Sequence, residues 1–302
     1  MAQSRSVGRR IEAAAVLSTA ALVRRLPLRA RIGFGEAVGS LLHAVDRRHR
    51  ELARTNIALS LGVGADEAAR IARRTFRCLG RGFAETLTMS YYRGAALERA
   101  VEVEGVEHLR AAYALGKGVV VCSGHIGNWE LAGLRQCQLG VPMDYISRPL
   151  DNPWLYDRLL QWREAGGVFT HAKHGAVRSA LKTLKAGRTL AFVVDQNMTS
   201  PPRIFVPFFG RAAATTPTMA HLSLRTGAPI VPAYTIPRDD GTYLLRYLPA
   251  IAVPETGDED AKVRAITLEA TRLLEEWIRA CPHSWLWLHD RWKTRPGPGE
   301  EI

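Results

Sequence analysis

A chain of 302 residues, 47% hydrophobic and 23% charged, has the size and balance of a globular protein with a substantial core, and excludes a wholly disordered one. Its formal net charge of +12 selects anionic partners: a nucleic acid, an anionic membrane or an acidic protein. Four cysteines, Cys78, Cys122, Cys137 and Cys281, show no CxxC spacing, which excludes a zinc knuckle and a disulfide framework.

The charge is concentrated at the start. The first fifty residues carry ten arginines against Glu12, Glu36 and Asp46. Residues 13–23 are apolar apart from Ser18 and Thr19, with arginines on both sides. Spanning a bilayer takes about 20 apolar residues, so this run is too short, and it reads as a helix lying among lipid headgroups. Arg24 and Arg25 stand where a signal peptide would carry its small-residue cleavage site. Helical spacing continues from residue 9 to residue 100, and no strand pattern appears before Val101. Residues 1–100 are therefore expected to form an N-terminal helical, membrane-associating region.

From Val101 the texture changes. Strands are expected at 101–105, 119–123, 143–147, 189–194, 229–234, 243–247 and 284–288. Helices are expected at 106–115, 129–139, 154–165, 176–185, 217–227 and 259–280. Alternation of the two predicts an α/β core over 101–293, a mixed, mostly parallel sheet flanked by helices, with 294–302 as a disordered tail. Ligands of such sheets sit beyond the carboxyl ends of the strands. Two polar runs fall there: Gly124-His125-Ile126-Gly127-Asn128-Trp129-Glu130 and Asp195-Gln196-Asn197.

In the first run one imidazole can take a proton near pH 7, and a carboxylate can orient it. Five residues on a regular helix turn through about 140°, so His125 and Glu130 can meet only if His125 precedes the helix and Glu130 lies in its first turns. Gly124, Gly127 and a capping Asn128 fit that geometry. The free amides of the helix start could bind an anion or a developing oxyanion. Arg148, held extended before Pro149, suits a phosphate. Asp195 could steady Arg148 or a substrate hydroxyl. Gln196 and Asn197 are neutral groups of the kind that read a sugar or an amide. Arg203 and Arg211 flank Phe205-Val206-Pro207-Phe208-Phe209-Gly210, as lipid-phosphate ligands or as loop solvation; the phenylalanines read as lining an acyl channel, as dipping into the membrane or as a core cluster. His171, His174, His221 and His283 have no metal-ligand spacing, so no metal is expected. A nucleic-acid reading rests on charge alone, with no supporting motif. A serine hydrolase using Ser123 would lack its GxSxG elbow.

Taken together these motifs resemble the lipid A biosynthesis lauroyl/myristoyl acyltransferases, a branch of the lysophospholipid acyltransferase superfamily. The resemblance covers nearly the whole chain: Arg54-Thr55-Asn56-Ile57, Glu85, the 124–130 run, Ser147-Arg148-Pro149-Leu150-Asp151-Asn152, Val194-Asp195-Gln196-Asn197, the FVPFFG run, and Trp287-Leu288-His289-Asp290-Arg291-Trp292-Lys293. It implies an enzyme moving a fatty acyl chain from a thioester to a glycolipid hydroxyl. His125 would be its general base and Glu130 the orienting carboxylate, with Asn128, Arg148, Asp195, Gln196, Asn197 and Arg203 as substrate contacts. The acyl carrier protein or acyl-CoA would be a co-substrate, with no cofactor and no nucleic-acid partner. The acceptor would be a lipid A precursor or, as the alternative, a phosphatidylinositol mannoside or another membrane glycolipid acylated from acyl-CoA. The implied location is an anionic membrane surface, the cytoplasmic face of the inner membrane, with peripheral or N-terminal attachment.

Overall fold

A computed structural model describes residues 6–172 and 175–300 of the chain. Arg5, His174 and the last two residues lie outside the described residues. Four helices come first: α1 (Val7–Val23), α2 (Leu28–Val45), α3 (Arg47–Leu61) and α4 (Ala65–Leu87). Helices α2 and α4 cross at unusually short range because glycines meet there. A Cβ on Gly39 would lie 2.1 Å from the Phe76 carbonyl oxygen, and one on Gly80 2.2 Å from that of Gly35. No helix among the described residues is long and apolar enough to cross a membrane.

The α/β part follows: α5 (Ala95–Ala100), β1 (Val101–Glu104), α6 (Val106–Ala114), β2 (Val119–Ser123), α7 (Trp129–Gln138), β3 (Met143–Ser147), α8 (Pro153–Glu164), β4 (Val168–Ala172), α9 (Ala176–Lys185) and β5 (Thr189–Val193). Then come β6 (Ile204–Phe208), β7 (Arg211–Thr215), α10 (Thr218–Thr226), β8 (Ile230–Pro237), β9 (Tyr243–Tyr247) and α11 (Glu259–Ala280). Seven strands form one sheet in the order β1-β9-β8-β2-β5-β3-β4, parallel throughout except for the β8–β9 pair. The mixed, mostly parallel sheet flanked by helices is thus present.

Both faces of the sheet are covered, which is why its central strands read as unbroken apolar runs. On β2, Val119 and Val121 pack with Leu131, Leu134, Met143 and Leu245 on one face. Val120 and Cys122 pack with Leu190, Tyr234, Ile266 and Leu274 on the other. From β2 the chain runs to β3 and β4 on one side and returns through β5; β8 joins β2 on its opposite edge. That reversal beside β2 opens a crevice at the carboxyl ends of β2 and β5.

Three strands were not visible in the hydrophobic pattern. β4 carries Thr170 and His171 and pairs only with β3 at a sheet edge; β6 and β7 form a separate antiparallel hairpin. The strand expected at 284–288 is corrected: a short 3-10 turn, Pro282–Ser284, leads into a single bridge between Trp285 and Ile126. Trp285, Trp287 and Trp292 are buried there as core aromatics around Phe208, not as a strand face. The phenylalanines of the FVPFFG run accordingly belong to the core.

Replacing Gly39 with alanine should force α2 and α4 apart and cost about 1–3 kcal/mol of stability. A lowered urea midpoint relative to wild type checks this; an unchanged midpoint contradicts it.

Candidate active site at the carboxyl ends of β2 and β5

Strands β2 and β5 share a parallel register in which Ser123 faces Val193. Their continuations, His125 and Asp195, are therefore brought side by side from positions seventy residues apart. The His125 Nδ1 lies 2.8 Å from Asp195 Oδ1, and the His125 backbone N–H donates to Asp195 Oδ2 at 2.6 Å. The Trp285 indole N–H donates to the same Oδ2 at 2.8 Å. Asp195 is 2% exposed, so these donors replace its water.

The backbone on either side of His125 is built on two glycines, of which Gly127 leaves no choice of residue and Gly124 little room. Gly127 has φ +59°, and a Cβ there would lie 2.2 Å from the Thr235 carbonyl oxygen. At Gly124 a Cβ would lie 2.8 Å from Leu274 and 3.1 Å from Asp195 Oδ2. Gly127 donates its N–H to the Ser284 carbonyl (2.9 Å), and the Ile126 carbonyl accepts from Thr235 Oγ1 (2.9 Å). The turn is thus fastened to β8 and to the C-terminal segment.

With Asp195 ionised, His125 Nδ1 is the donor and the neutral ring keeps its lone pair on Nε2. Burial alone would lower the His125 pKa; the Asp195 charge and hydrogen bond outweigh it and lift the pKa above its usual value. Burial pushes Asp195 up, but the His125 charge and the donors from His125 and Trp285 overcome that and hold it at about 2. Asp195 therefore stays charged wherever His125 titrates.

Glu130 does not partner His125, and this corrects the expected dyad. As the second residue of α7 its carboxylate is taken by Arg163 of α8, which donates through Nε to Oε2 (2.9 Å) and through Nη2 to Oε1 (2.6 Å). Both side chains are buried, so each supplies the charge the other needs. The orienting carboxylate comes instead from Asp195.

The other expected contacts divide. Arg148 and Gln196 border the same cavity as His125, with Gln196 Nε2 3.5 Å from His125 Nε2. Arg148 is largely exposed and pairs with Asp151 (2.8 Å). Asn128 is buried away from the cavity. Its Oδ1 caps α7 by accepting from Leu131 N (3.1 Å), and its Nδ2 donates to Glu85 (2.8 Å). Glu85 also accepts from Arg81 (2.9 Å) and the Tyr243 hydroxyl (2.5 Å), tying the N-terminal helices to the start of α7. The Asn197 side chain bonds Thr294, and its backbone N–H donates to His289 Nε2 at 2.8 Å. Arg203 pairs with Glu300 (3.0 Å) and lines a different cavity.

Arg163 and Trp285 are the side chains that reading the sequence missed. A buried glutamate in the first turn of α7 demands a cation, but nothing in the spacing says that α8 supplies it. Trp285 lies just outside the 287–293 run and carries no pattern of its own. Arg291 is wholly buried beneath the 195–197 loop and donates to the carbonyls of Ala214 (2.6 Å) and Gln196 (3.3 Å) and to Thr215 Oγ1 (2.5 Å). The C-terminal signature is thereby a clamp on the Asp195 loop.

His125 stands at the mouth of a cavity of about 310 Å³ between α7 and one face of the sheet. Val121, Ala191, Ala233 and Leu245 give it an apolar wall on the sheet side, with Tyr145, Arg163 and Thr235 among the polar groups that also line it. Such a site joins a proton acceptor to a slot for an apolar chain. Among the described residues no cluster of histidines, cysteines and carboxylates could hold a metal ion.

The sequence matches the model of the bacterial lipid A biosynthesis acyltransferases over residues 2–294, and the chain belongs to that family. It is 29% identical to a lipid A biosynthesis lauroyltransferase of Escherichia coli (strain K12) over 278 residues, 91% of this chain and 89% of that one. A lipid A biosynthesis palmitoleoyltransferase of the same strain is 27% identical over 90% of this chain and 88% of its own. A phosphatidylinositol mannoside acyltransferase of Mycolicibacterium smegmatis is 26% identical over 80% of this chain and 79% of its own. The chain is accordingly an acyltransferase.

With His125 as proton acceptor, a role that requires the neutral ring, acyl transfer would rise with pH through the elevated His125 pKa. Asp195→Asn should cost about 10²–10⁴-fold in turnover and move that acid limb to lower pH. Glu130→Gln should leave the limb in place. A pH–rate profile of the three proteins checks this; a limb moved by Glu130→Gln and not by Asp195→Asn would reverse the pairing.

Proposed function

We propose that this acyltransferase performs a late acylation of a lipid A precursor, moving a fatty acyl chain from an acyl thioester to a hydroxyl of the glycolipid. The observation that carries the reading is the His125–Asp195 pair at the mouth of an apolar cavity. The acyl chain occupies the cavity and the thioester carbonyl lies beside His125. His125 Nε2 removes the proton of the acceptor hydroxyl as its oxygen attacks that carbonyl. The tetrahedral intermediate collapses, the carbon–sulfur bond breaks, and the proton on His125 passes to the departing thiolate. Ester and free thiol result without an acyl-enzyme, since the thioester is already activated. Asp195 holds the ring in the required tautomer and stabilises the imidazolium that forms between the two transfers.

Arg148 at the cavity rim is a cation for phosphate, either on the lipid or on the carrier of the thioester. The acceptor follows the names of the lipid A relatives. A phosphatidylinositol mannoside acceptor, with acyl-CoA as donor, is the second reading, favoured by the similarity to those acyltransferases.

The N-terminal helices support attachment to the cytoplasmic face of the inner membrane from one side. Val7, Ile11 and Leu22 of α1 are 75%, 65% and 63% exposed, among Arg9, Arg10, Arg24 and Arg25. Apolar side chains interleaved with arginine suit an anionic headgroup layer.

Purified enzyme should add one acyl chain to a lipid A precursor, read as a single acyl mass increment by mass spectrometry, and His125→Ala should abolish it. Transfer to a phosphatidylinositol mannoside alone would select the second reading, and full activity of His125→Ala would overturn the base. Ile11→Asp combined with Leu22→Asp should weaken sedimentation with phosphatidylglycerol vesicles by about tenfold or more. Undiminished sedimentation would contradict attachment through α1.

A further inference from the structure

The floor of the cavity lies at the opposite end from His125 and has its own construction. Helix α7 lends one face, Trp129, Ala132, Gly133 and Gln136, running down from the mouth. The strands lend alternate residues of one sheet face, so depth can be read from their register. Ser123 and Val193 pair at the upper level, and Val119 pairs with Thr189, which pairs with Met143, at the lower one.

Gln136 crosses the slot obliquely, from Thr189 at the lower level of β5 to Tyr247 of β9, which pairs with Ala233. Its Nε2 donates to Thr189 Oγ1 at 2.8 Å, and its Oε1 accepts from the Tyr247 hydroxyl at 3.1 Å. Gln136 is 1% exposed and Tyr247 2%, so both groups of the amide are spent within protein. Three elements, α7, β5 and β9, hold the side chain. To swing aside it would have to abandon buried hydrogen bonds, which makes the floor rigid. Above it α7 lends only Trp129, Ala132 and Gly133 to the slot, so Gln136 is the first side chain of that helix to set an amide across it, while Tyr145 from β3 reaches the Trp129 carbonyl nearer the mouth.

We propose that Gln136, braced by Tyr247 and Thr189, is the stop that fixes the length of the transferred acyl chain, at about twelve carbons. This deepens the acyl-transfer reading and rests on it. Four strand steps separate the upper and lower levels, about 13 Å. An extended chain advances roughly 1.25 Å per carbon, the axial share of a carbon–carbon bond of about 1.52 Å. About ten carbons therefore fit below the level of Ser123, and the carbonyl end beside His125 adds about two. Volume gives the same answer. A dry cavity of about 150 Å³ takes one six-carbon benzene, and this one, at about 310 Å³, takes roughly twice as many carbon atoms. A longer chain must either displace Gln136 or leave its reacting carbonyl above His125, and each surplus methylene costs about tenfold or more in kcat/KM.

The test is the chain-length profile, kcat/KM for a homologous series of saturated acyl-CoA donors shorter and longer than dodecanoyl, with lipid product identified by mass. Wild type should peak near dodecanoyl. Gln136→Ala removes about four heavy atoms of floor and should move the peak up by about two to four carbons. Ala191→Leu adds bulk to the wall halfway down and should move it to shorter chains, which keeps the proposal testable if Gln136→Ala does not fold. Gln136→Met, similar in length but without the hydrogen bonds, should keep the peak and broaden it. Profiles of Gln136→Ala and Ala191→Leu that both peak where wild type does would overturn the assignment while leaving acyl transfer intact. Failure of wild type to transfer any chain from either acyl-CoA or acyl carrier protein would instead sink the acyl-transfer reading, and this inference with it.

Discussion

One buried carboxylate organises the site. Asp195 lies two residues beyond the end of β5, out of contact with solvent, and is satisfied by the His125 backbone, the His125 ring and the Trp285 indole. Each of these donors belongs to a segment that something else must hold still. The His125 turn is fastened by Gly127, Thr235 and Ser284, and the Asp195 loop by Arg291 and His289. A charge removed from water is tolerated only while such a shell is complete. The strand order around it, with β2 and β5 as parallel neighbours, is what makes the shell possible.

A second buried charge system lies behind the first and does a different task. Glu130 and Arg163 neutralise each other between α7 and α8, while Glu85 gathers Arg81, Asn128 and Tyr243 between α4, α7 and β9. Removing one partner of such a group strands the other without water, so these residues are locked together although none of them reaches the His125 imidazole. They position the start of α7, on which the placement of His125 and the line of the cavity both depend. Helices α2 and α4, pressed together at glycines, enter the catalytic region through this contact rather than through the sheet.

Much of this was legible in the sequence. Buried parallel strands announce themselves as apolar runs, and Gly-rich turns followed by a capping asparagine mark a strand passing into a helix. Both His125 and Asp195 fall at carboxyl ends of strands for that reason. What periodicity cannot give is strand order. Only when β5 is known to lie beside β2 does Asp195 become the neighbour of His125, and sequence proximity pointed to Glu130 instead. Arg163 and Trp285 were hidden by the same limit, as was β4, whose Thr170 and His171 break the apolar pattern at a sheet edge. Asn197 and Arg203 looked like polar ligand groups, but each is occupied by the C-terminal segment, from Thr294 and Glu300, which composition alone describes as a tail.

Asp195, and not Glu130, holds the His125 ring with its proton on Nδ1. Nitrogen-15 and proton NMR of histidine-labelled enzyme reads that proton directly. A strongly deshielded Nδ1–H resonance for His125 is expected at neutral pH, persisting in Glu130→Gln and lost in Asp195→Asn. Persistence of the signal in Asp195→Asn, with loss in Glu130→Gln, would contradict it.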